Sequence, residues 1–335
     1  MDFPPPSSGS PPTDWPTDWF EQVTACLWCS GDRIDPCIAG VRDWFFGCVP
    51  GEFSFGRCRE CGSLLLQSRP TAAHLAKAYR GYYTHTAEQA GTPGNGLVQR
   101  MGRVLANGYA RRRYGQSSRI GDAALASLFG LFPVRRAEID AKHRHLPAAP
   151  ADVLDYGCGN GEFLVRAAGL GHRIVGVDFD PAAVATARER GLAVFEPSAE
   201  QSAEFSARFA LITAVHVLEH VPDPLALLRD FRRWLKPGGE LFLEMPNAAA
   251  AGLGQHGKFW RGLEAPRHFS VPSEAGLRSA LKQAGFAQVI IGQRAFARDF
   301  MDAASHAAAH GEGMLPLSQA VLSGPEVLTC LARAD

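Results

Sequence analysis

Residues 149–294 predict an open α/β sheet wound on both faces, and three observations carry that expectation. Short β-branched runs alternate with amphipathic stretches, the pattern of parallel strands joined by helical crossovers. One of those runs leads straight into three alternating glycines, Gly157, Gly159 and Gly161, and a helical pattern follows. The next apolar run, Ile174-Val-Gly-Val, ends on an acid, Asp178.

Each element follows from its local residues. A strand is expected over Asp152–Tyr156 and a helix from Glu162. A second strand covers Arg173–Asp178, with a helix after Pro181. A weak strand is read at Leu192–Phe195 and a stronger one at Ala210–Val217. A helix runs over Pro224–Leu235, Pro237-Gly-Gly239 turns the chain, and Glu240–Met245 is a further strand. Ser273 caps a helix to Ala284, because its hydroxyl can accept an orphan N–H of the first turn. Ala287–Gln293 closes the series, and no final antiparallel strand is legible beyond it.

The rest of the 335 residues divides by composition. Residues 1–20 are rich in Pro and Ser and read as a disordered leader. Residues 21–70 concentrate Cys, Gly and aromatics in a small module. Residues 71–148 carry Arg, Ala and Leu at helical spacing and read as a helical lid or linker. Residues 295–335 are Ala-rich and read as a helical tail without a site. Lys plus Arg equals Asp plus Glu at 34 each, so the chain has no global pull toward nucleic acid or an anionic membrane. No run approaches the roughly 18 apolar residues of a membrane span, and no membrane partner is expected. Arg111-Arg-Arg113, Arg135-Arg136 and Lys142-His-Arg-His145 make one stretch locally basic, read as a mostly solvated helix face. The N-terminus lacks the basic start and apolar core of a secretory signal, so a cytoplasmic, reducing setting is expected. There, spaced cysteines point to metal before disulfides.

Cys26-Leu-Trp-Cys29 and Cys58-Arg-Glu-Cys61 form two CxxC knuckles. Each can aim two sulfurs at one point, Gly62 allows the tight backbone after the second, and four thiolates suit tetrahedral zinc. Such a site is structural, because it leaves no open position for substrate. Cys37 and Cys48 lie between the knuckles and could replace one of the four, but neither has a partner at ligand spacing.

The glycine loop follows a strand and precedes a helix, so backbone N–H groups can meet a nucleotide-like ligand at close range. A dinucleotide fingerprint needs glycine where Glu162 stands, which disfavours a nicotinamide coenzyme. Asp155, two residues before the first glycine, would repel a pyrophosphate and suit a cationic amino or sulfonium group. Asp178 can accept from ribose hydroxyls, and Phe179 can lie against an adenine.

Asp155-x-Gly157-x-Gly159-x-Gly161, Asp178, His216-Val-Leu-Glu-His220-Val-Pro-Asp-Pro224, Leu235-Lys-Pro-Gly-Gly-Glu-Leu-Phe-Leu243 and Gly285-Phe286 stand in the order found in class I S-adenosylmethionine (SAM)-dependent methyltransferases, which this segment resembles. The resemblance implies a Rossmann-like doubly wound sheet with SAM on Asp155, the three glycines, Asp178 and Phe179. The paired CxxC region, followed by Tyr79-Arg-Gly-Tyr-Tyr83, is similar to the zinc-binding region of some bacterial sugar and secondary-metabolite methyltransferases. It implies a structural zinc on Cys26, Cys29, Cys58 and Cys61.

His216-x-x-Glu219-His220 falls just past the fourth strand, at the edge where open α/β sheets bind ligands. The string matches an inverted zinc-protease pattern, but the strand before it and Pro222 and Pro224 after it exclude the continuous helix that pattern needs. Three roles stay open: His220 or His216 as general base oriented by Glu219, a divalent metal on His216, Glu219 and His220, or a buttress for the cofactor loop. His268 lies in Trp260-Arg-Gly-Leu-Glu-Ala-Pro-Arg-His-Phe269, a loop of substrate-contacting character, and is a second candidate base or a further metal ligand. The expectation is methyl transfer from SAM to a hydroxyl or carbon of a small molecule such as a sugar or secondary metabolite. The alternatives are an RNA methyltransferase whose zinc module grips nucleic acid, which the neutral charge argues against, and a non-catalytic SAM-binding scaffold.

Overall fold

The computed structural model describes residues 15–79, 97–115, 120–294, 296–311 and 326–335. Most of the expected leader, and residues 80–83 of the tyrosine-rich string, lie outside these residues. The N-terminal segment carries β1 (Phe20–Gln22), β2 (Ile34–Val41), β3 (Phe53–Cys58), β4 (Leu64–Leu66), β5 (Ser68–Pro70) and α1 (Leu75–Ala78). Three helices follow: α2 (Leu97–Arg113), α3 (Ile120–Phe129) and α4 (Pro133–Lys142). The α/β series runs β6 (Asp152–Tyr156), α5 (Glu162–Gly169), β7 (Arg173–Val177), α6 (Pro181–Glu189), β8 (Val194–Phe195), α7 (Ala199–Glu204), β9 (Phe209–Val215), α8 (Pro224–Trp234) and β10 (Leu235–Pro246). It ends with α9 (Ala251–His256), β11 (Ser270–Val271), α10 (Glu274–Gln283), β12 (Gln288–Arg294), α11 (Phe296–His310) and β13 (Val327–Arg333).

Seven strands form one mixed sheet in the order β12-β13-β10-β9-β6-β7-β8. The central pairs, β6 with β7 and β6 with β9, are parallel. Strand order reverses at β6, the switch point where such sheets open a crevice for ligands. This is the expected Rossmann-like doubly wound α/β fold.

The tail departs from expectation. Phe296–His310 is helical, but Val327–Arg333 is a strand that pairs antiparallel with β12 from Gln288↔Arg333 to Arg294↔Val327. Val327, Leu328, Cys330 and Ala332 are buried there. The final antiparallel strand therefore exists, contrary to the all-helical reading of residues 295–335. The leader also ends earlier than residue 20: Thr17–Trp19 makes a helical turn, and Phe20 pairs with Pro70 at the start of β1. The Pro237-Gly-Gly239 turn is absorbed into β10, with Gly238 at φ 72°.

The chain forms two compact units that cut across the expected linear boundaries. One gathers Met1–Tyr83, Val215–Arg232 and Leu243–Arg333; the other gathers Thr84–Ala214, Arg233–Phe242 and Ala334–Asp335. In the first, β2, β3 and β4 form a sheet completed by β11, from far along the chain. Phe55, Leu64, Leu66, Trp260, Leu263 and Phe269 pack in its core and are fully buried. The cysteine module is therefore not a free-standing bead: Trp28 donates from Nε1 to Ser270 Oγ at 2.9 Å, and Ser273 N donates to Ser63 Oγ at 3.0 Å. In the second unit, Cys158, Leu164, Val184, Ala187 and Val194 form a small core behind the glycine loop.

Candidate functional site

In the first unit the two knuckles fold alike. Ser30 N donates to Cys26 O at 2.9 Å, and Gly62 N donates to Cys58 O at 2.8 Å. The residue after each second cysteine is left-handed, Ser30 at φ 65° and Gly62 at φ 79°. Gly62 meets that requirement without a Cβ penalty. The sulfurs of Cys26 and Cys61 lie 3.6 Å apart, those of Cys29 and Cys58 3.5 Å, and all four fall within 4.8 Å of one another. Four sulfurs about 2.3 Å from a tetrahedral zinc are about 3.8 Å apart, so the donor set fits that ion. Cys37 is exposed, and Cys48 turns instead to Asp43, whose Oδ2 its Sγ meets at 3.2 Å.

The second cluster of this unit is built on one helical turn, Leu218–His220, that follows β9 directly. Glu219 is fully buried; its Oε1 lies 3.2 Å from His216 Nδ1, and its Oε2 has no hydrogen-bond partner. His220 Nδ1 lies 3.1 Å from the Arg267 carbonyl and 3.1 Å from the Tyr79 hydroxyl. His268 Nδ1 lies 2.8 Å from the Gly262 carbonyl. A carbonyl can only accept, so both rings carry their proton on Nδ1 and keep a lone pair on Nε2. The rings meet edge to face with centroids 4.6 Å apart. Burial pushes the His220 pKa down to about 4 and holds His268 well below the ordinary histidine value.

Glu219, His220 and His268 each bring a ligand atom within 4.8 Å of the others; among the described residues only this trio and the four cysteines are grouped so. The expected metal trio of His216, Glu219 and His220 is thus revised, with His268 in the place of His216. His216 sits at a left-handed corner (φ 54°), with its side chain 45% exposed. Burial opposes its charge, but the Glu219 hydrogen bond and the charges of Glu219 and Glu244 raise its pKa above the usual value. When protonated, His216 stands as a counter-ion of Glu219.

The frame behind this cluster was not foreseen. Arg267 is fully buried and ion-paired with Asp43 through Nη2, and its Nη1 donates to the Ala78 carbonyl at 3.1 Å. Its Nε also faces Glu264 Oε1 at 3.2 Å, and Arg261 pairs with the same carboxylate. These partners lie up to 224 positions apart in sequence, so no spacing rule could have named them.

In the second unit, the glycine loop joins β6 to α5, with Gly157, Gly159 and Gly161 at φ 76°, 53° and 80°. Gly161 would place a Cβ against the Leu192 side chain, so both space and backbone demand glycine there. Asp178 Oδ2 accepts from Gly159 N at 2.7 Å and Oδ1 from Asp180 N at 2.9 Å. Phe179 is 51% exposed beside it.

Asp155 differs from the sequence reading. It is fully buried, and its Oδ1 is already met by the Arg144 guanidinium and by Thr213 Oγ1, the latter at 2.7 Å. Burial outweighs both partners and raises its pKa. Oδ2 has no hydrogen-bond partner. The cation beside Asp155 is therefore the protein's own Arg144, held by a left-handed backbone at Arg144 (φ 48°) and His145 (φ 54°). The sequence signal was the Lys142-His-Arg-His145 cluster, which nothing local linked to the loop.

Residues 134–290 match the family described as "Methyltransferase domain". Over those residues the chain is similar to methyltransferases. Curated relatives match part of the chain as well. A protein named ubiquinone biosynthesis O-methyltransferase from Xanthomonas oryzae pv. oryzae is 38% identical over 141 residues, covering 39% of this chain and 56% of that one. A relative of the same name from Pseudomonas aeruginosa is 41% identical over 102 residues, covering 28% and 44%. The chain thus spans about half the length of the curated relatives it matches. A solved structure described as a SAM-dependent methyltransferase, possible histamine N-methyltransferase, from Thermotoga maritima is 20% identical with a TM-score of 0.42, covering 62% of this chain and 99% of that one.

Proposed function

We propose that the protein is a SAM-dependent methyltransferase that methylates a hydroxyl, or an acidic carbon, of a small-molecule acceptor such as a sugar or secondary metabolite. The observation that carries this reading is the pair of neutral histidine Nε2 lone pairs, on His220 and His268, beside the unpartnered Glu219 Oε2. A domain that only holds a cofactor has no use for such a group, whereas taking a proton from a hydroxyl requires one. The names of the curated relatives put them in O-methylation, which favours oxygen over carbon.

SAM, when bound, supplies the electrophilic sulfonium methyl. Asp178 is the acceptor for the ribose hydroxyls, the glycine backbone leaves room for close approach, and Phe179 offers a ring face to the adenine. Arg144, neutralised on one side by Asp155, is the group to meet the cofactor's carboxylate. His220 or His268 takes the acceptor proton, and the Arg267 and Gly262 carbonyls fix which nitrogen does so. Glu219 then balances the charge that forms. The four cysteines hold a structural zinc, and a reducing cytoplasm keeps their thiolates available.

The convergence of Glu219, His220 and His268 favours a second reading, in which these three hold a divalent cation that orients the acceptor oxygen. Calorimetry of the full chain with SAM, then a screen of hydroxylated acceptors with methyl-labelled SAM, tests the proposal. His220→Asn and His268→Asn are expected to lower turnover by about 10²–10⁴-fold, with cofactor affinity within about twofold of wild type. Unchanged turnover in both overturns the base assignment, and no heat with SAM overturns the cofactor assignment. Loss of turnover in EDTA, restored by Mg²⁺ or Mn²⁺, selects the metal reading over the free base.

A further inference from the structure

Within the first unit, the acid Glu326 takes no part in the chemistry described so far. It stands directly before β13 and is fully buried, and its backbone carbonyl accepts from Asn247 N at 3.0 Å. Its Oε1 accepts from Gly252 N in α9 at 2.8 Å, and its Oε2 accepts from Trp260 Nε1 at 2.6 Å. Burial raises its pKa above the usual carboxylate value, although both hydrogen bonds oppose the shift. An ionised carboxylate suits a junction of two N–H donors, because it offers two acceptor oxygens and no donor. Burying such a group on neutral partners is costly, which directs attention to what it holds.

The indole of Trp260 is fully buried and closely met by two glycines. A Cβ on Gly252 would come within 2.9 Å of Cδ1 and Nε1, at the pyrrole end of the ring. A Cβ on Gly262 would come within 2.5 Å of Cη2, Cζ2 and Cζ3, at the benzo end. Neither glycine is left-handed, so space alone excludes a side chain at both positions. The Gly262 carbonyl in turn accepts from His268 Nδ1 at 2.8 Å. The backbone at His268 is fixed separately: His268 N donates to the Glu264 carbonyl at 3.1 Å, and Phe269 N to the Glu219 carbonyl at 2.7 Å. What remains free is the rotation of the His268 ring, and the Gly262 carbonyl sets it.

We infer that Glu326 and Trp260 are positioning residues for His268. Glu326 fixes the indole, the indole fixes the Gly262 carbonyl, and that carbonyl selects the tautomer and angle of the imidazole. The inference rests on the proposed use of His268, whether its Nε2 takes a proton or meets a cation. It gives the C-terminal segment, read from sequence as lacking a site, a part in one. The tie spans 66 positions between Trp260 and Glu326, beyond the reach of any local pattern.

Proton–nitrogen correlation spectra of the full chain carrying nitrogen-15 histidine test the inference, with His268→Asn assigning the ring signals. Wild type should show His268 neutral, with its proton on Nδ1. Glu326→Gln keeps the shape but turns an amide NH₂ toward one of the two donors, and Trp260→Phe removes the indole N–H. Each should move the His268 signals toward a mixture of tautomers. With an acceptor taken from the methyl-labelled SAM screen, kcat should fall about 10–100-fold while the acceptor KM stays within about twofold. An acid that only braces the fold would lower the melting temperature and leave the ring signals of the folded protein unmoved. Should Glu326→Gln fail to fold, Trp260→Phe is read in its place. His268 signals that neither variant moves overturn the inference, as does a wild-type ring protonated on Nε2. Moved signals in a protein that transfers no methyl group support the positioning and overturn only the use of His268 in that reaction.

Discussion

The glycine-loop region of the second unit and the cysteine–histidine region of the first are assembled in opposite ways. Asp155 on β6, the glycine loop that leads from β6 into α5 and Asp178 just past the parallel neighbour β7 are all placed by local apolar runs. The first unit is tied by contacts between Trp28 and Ser270, 242 positions apart, and between Asp43 and Arg267, 224 apart. One region is written by secondary structure and the other by tertiary pairing. The first unit should therefore fail abruptly when one of its ties is cut.

The sharpest break is expected at the cysteines. Zinc analysis of purified protein should find one ion per chain. Cys58→Ser should lose it and cost the first unit at least about 5 kcal/mol, because binding a structural zinc is coupled to folding. Cys37→Ser, at an exposed site, should keep both metal and melting temperature. A zinc-free wild type with unchanged unfolding would remove the metal from this comparison and leave the apolar core as the tie.

Arg267 comes next. Its guanidinium is enclosed with Asp43 and Glu264, all nearly or fully inaccessible to water. Arg267→Met leaves the buried Asp43 carboxylate without its cation, while Glu264 keeps Arg261, and breaking such a buried pair typically costs about 3–5 kcal/mol. Denaturant unfolding should show that loss, and the double variant Arg267→Met, Asp43→Leu should recover part of it. A loss below about 1 kcal/mol would mean that the network is ornamental to stability.

How much was legible follows the same division. The strands at Asp152–Tyr156 and Arg173–Val177, the Ser273 cap and the CxxC knuckles were read from neighbours in sequence. Ser273 does accept from Gly276 N, at 3.0 Å. The role of Asp155 was misjudged because Arg144 reaches it through an irregular left-handed stretch that carries no pattern. The strand β13 was missed because its Val-Leu-Thr-Cys-Leu-Ala-Arg run follows an Ala-rich helix, and only pairing with β12 makes it a strand. His268 was named, but its place beside Glu219 in preference to His216 depends on a loop that returns 47 residues after His220.

The smallest effect expected lies in the locally written unit, at His172. This residue is 6% exposed, and neither ring nitrogen has a hydrogen-bond partner. Burial lowers its pKa below the ordinary histidine value of about 6.5. The unfolded chain therefore binds more protons than the folded one just below that pH. Stability rises with pH through this window and is lost as pH falls. His143, His145 and His268 are lowered by burial too, and His220 to about 4, so they share the trend. His172→Leu removes one contributor together with two unsatisfied polar atoms. It should stabilise the protein at pH 7.5 by about 1 kcal/mol, since an unpaired buried polar group costs about 1–3 kcal/mol. It should also flatten the fall in melting temperature between pH 6.5 and 5. A variant that melts lower than wild type at pH 7.5, with the same slope against pH, would mean that His172 is held by contacts rather than merely enclosed. The second unit would then depend on a polar tie much as the first does.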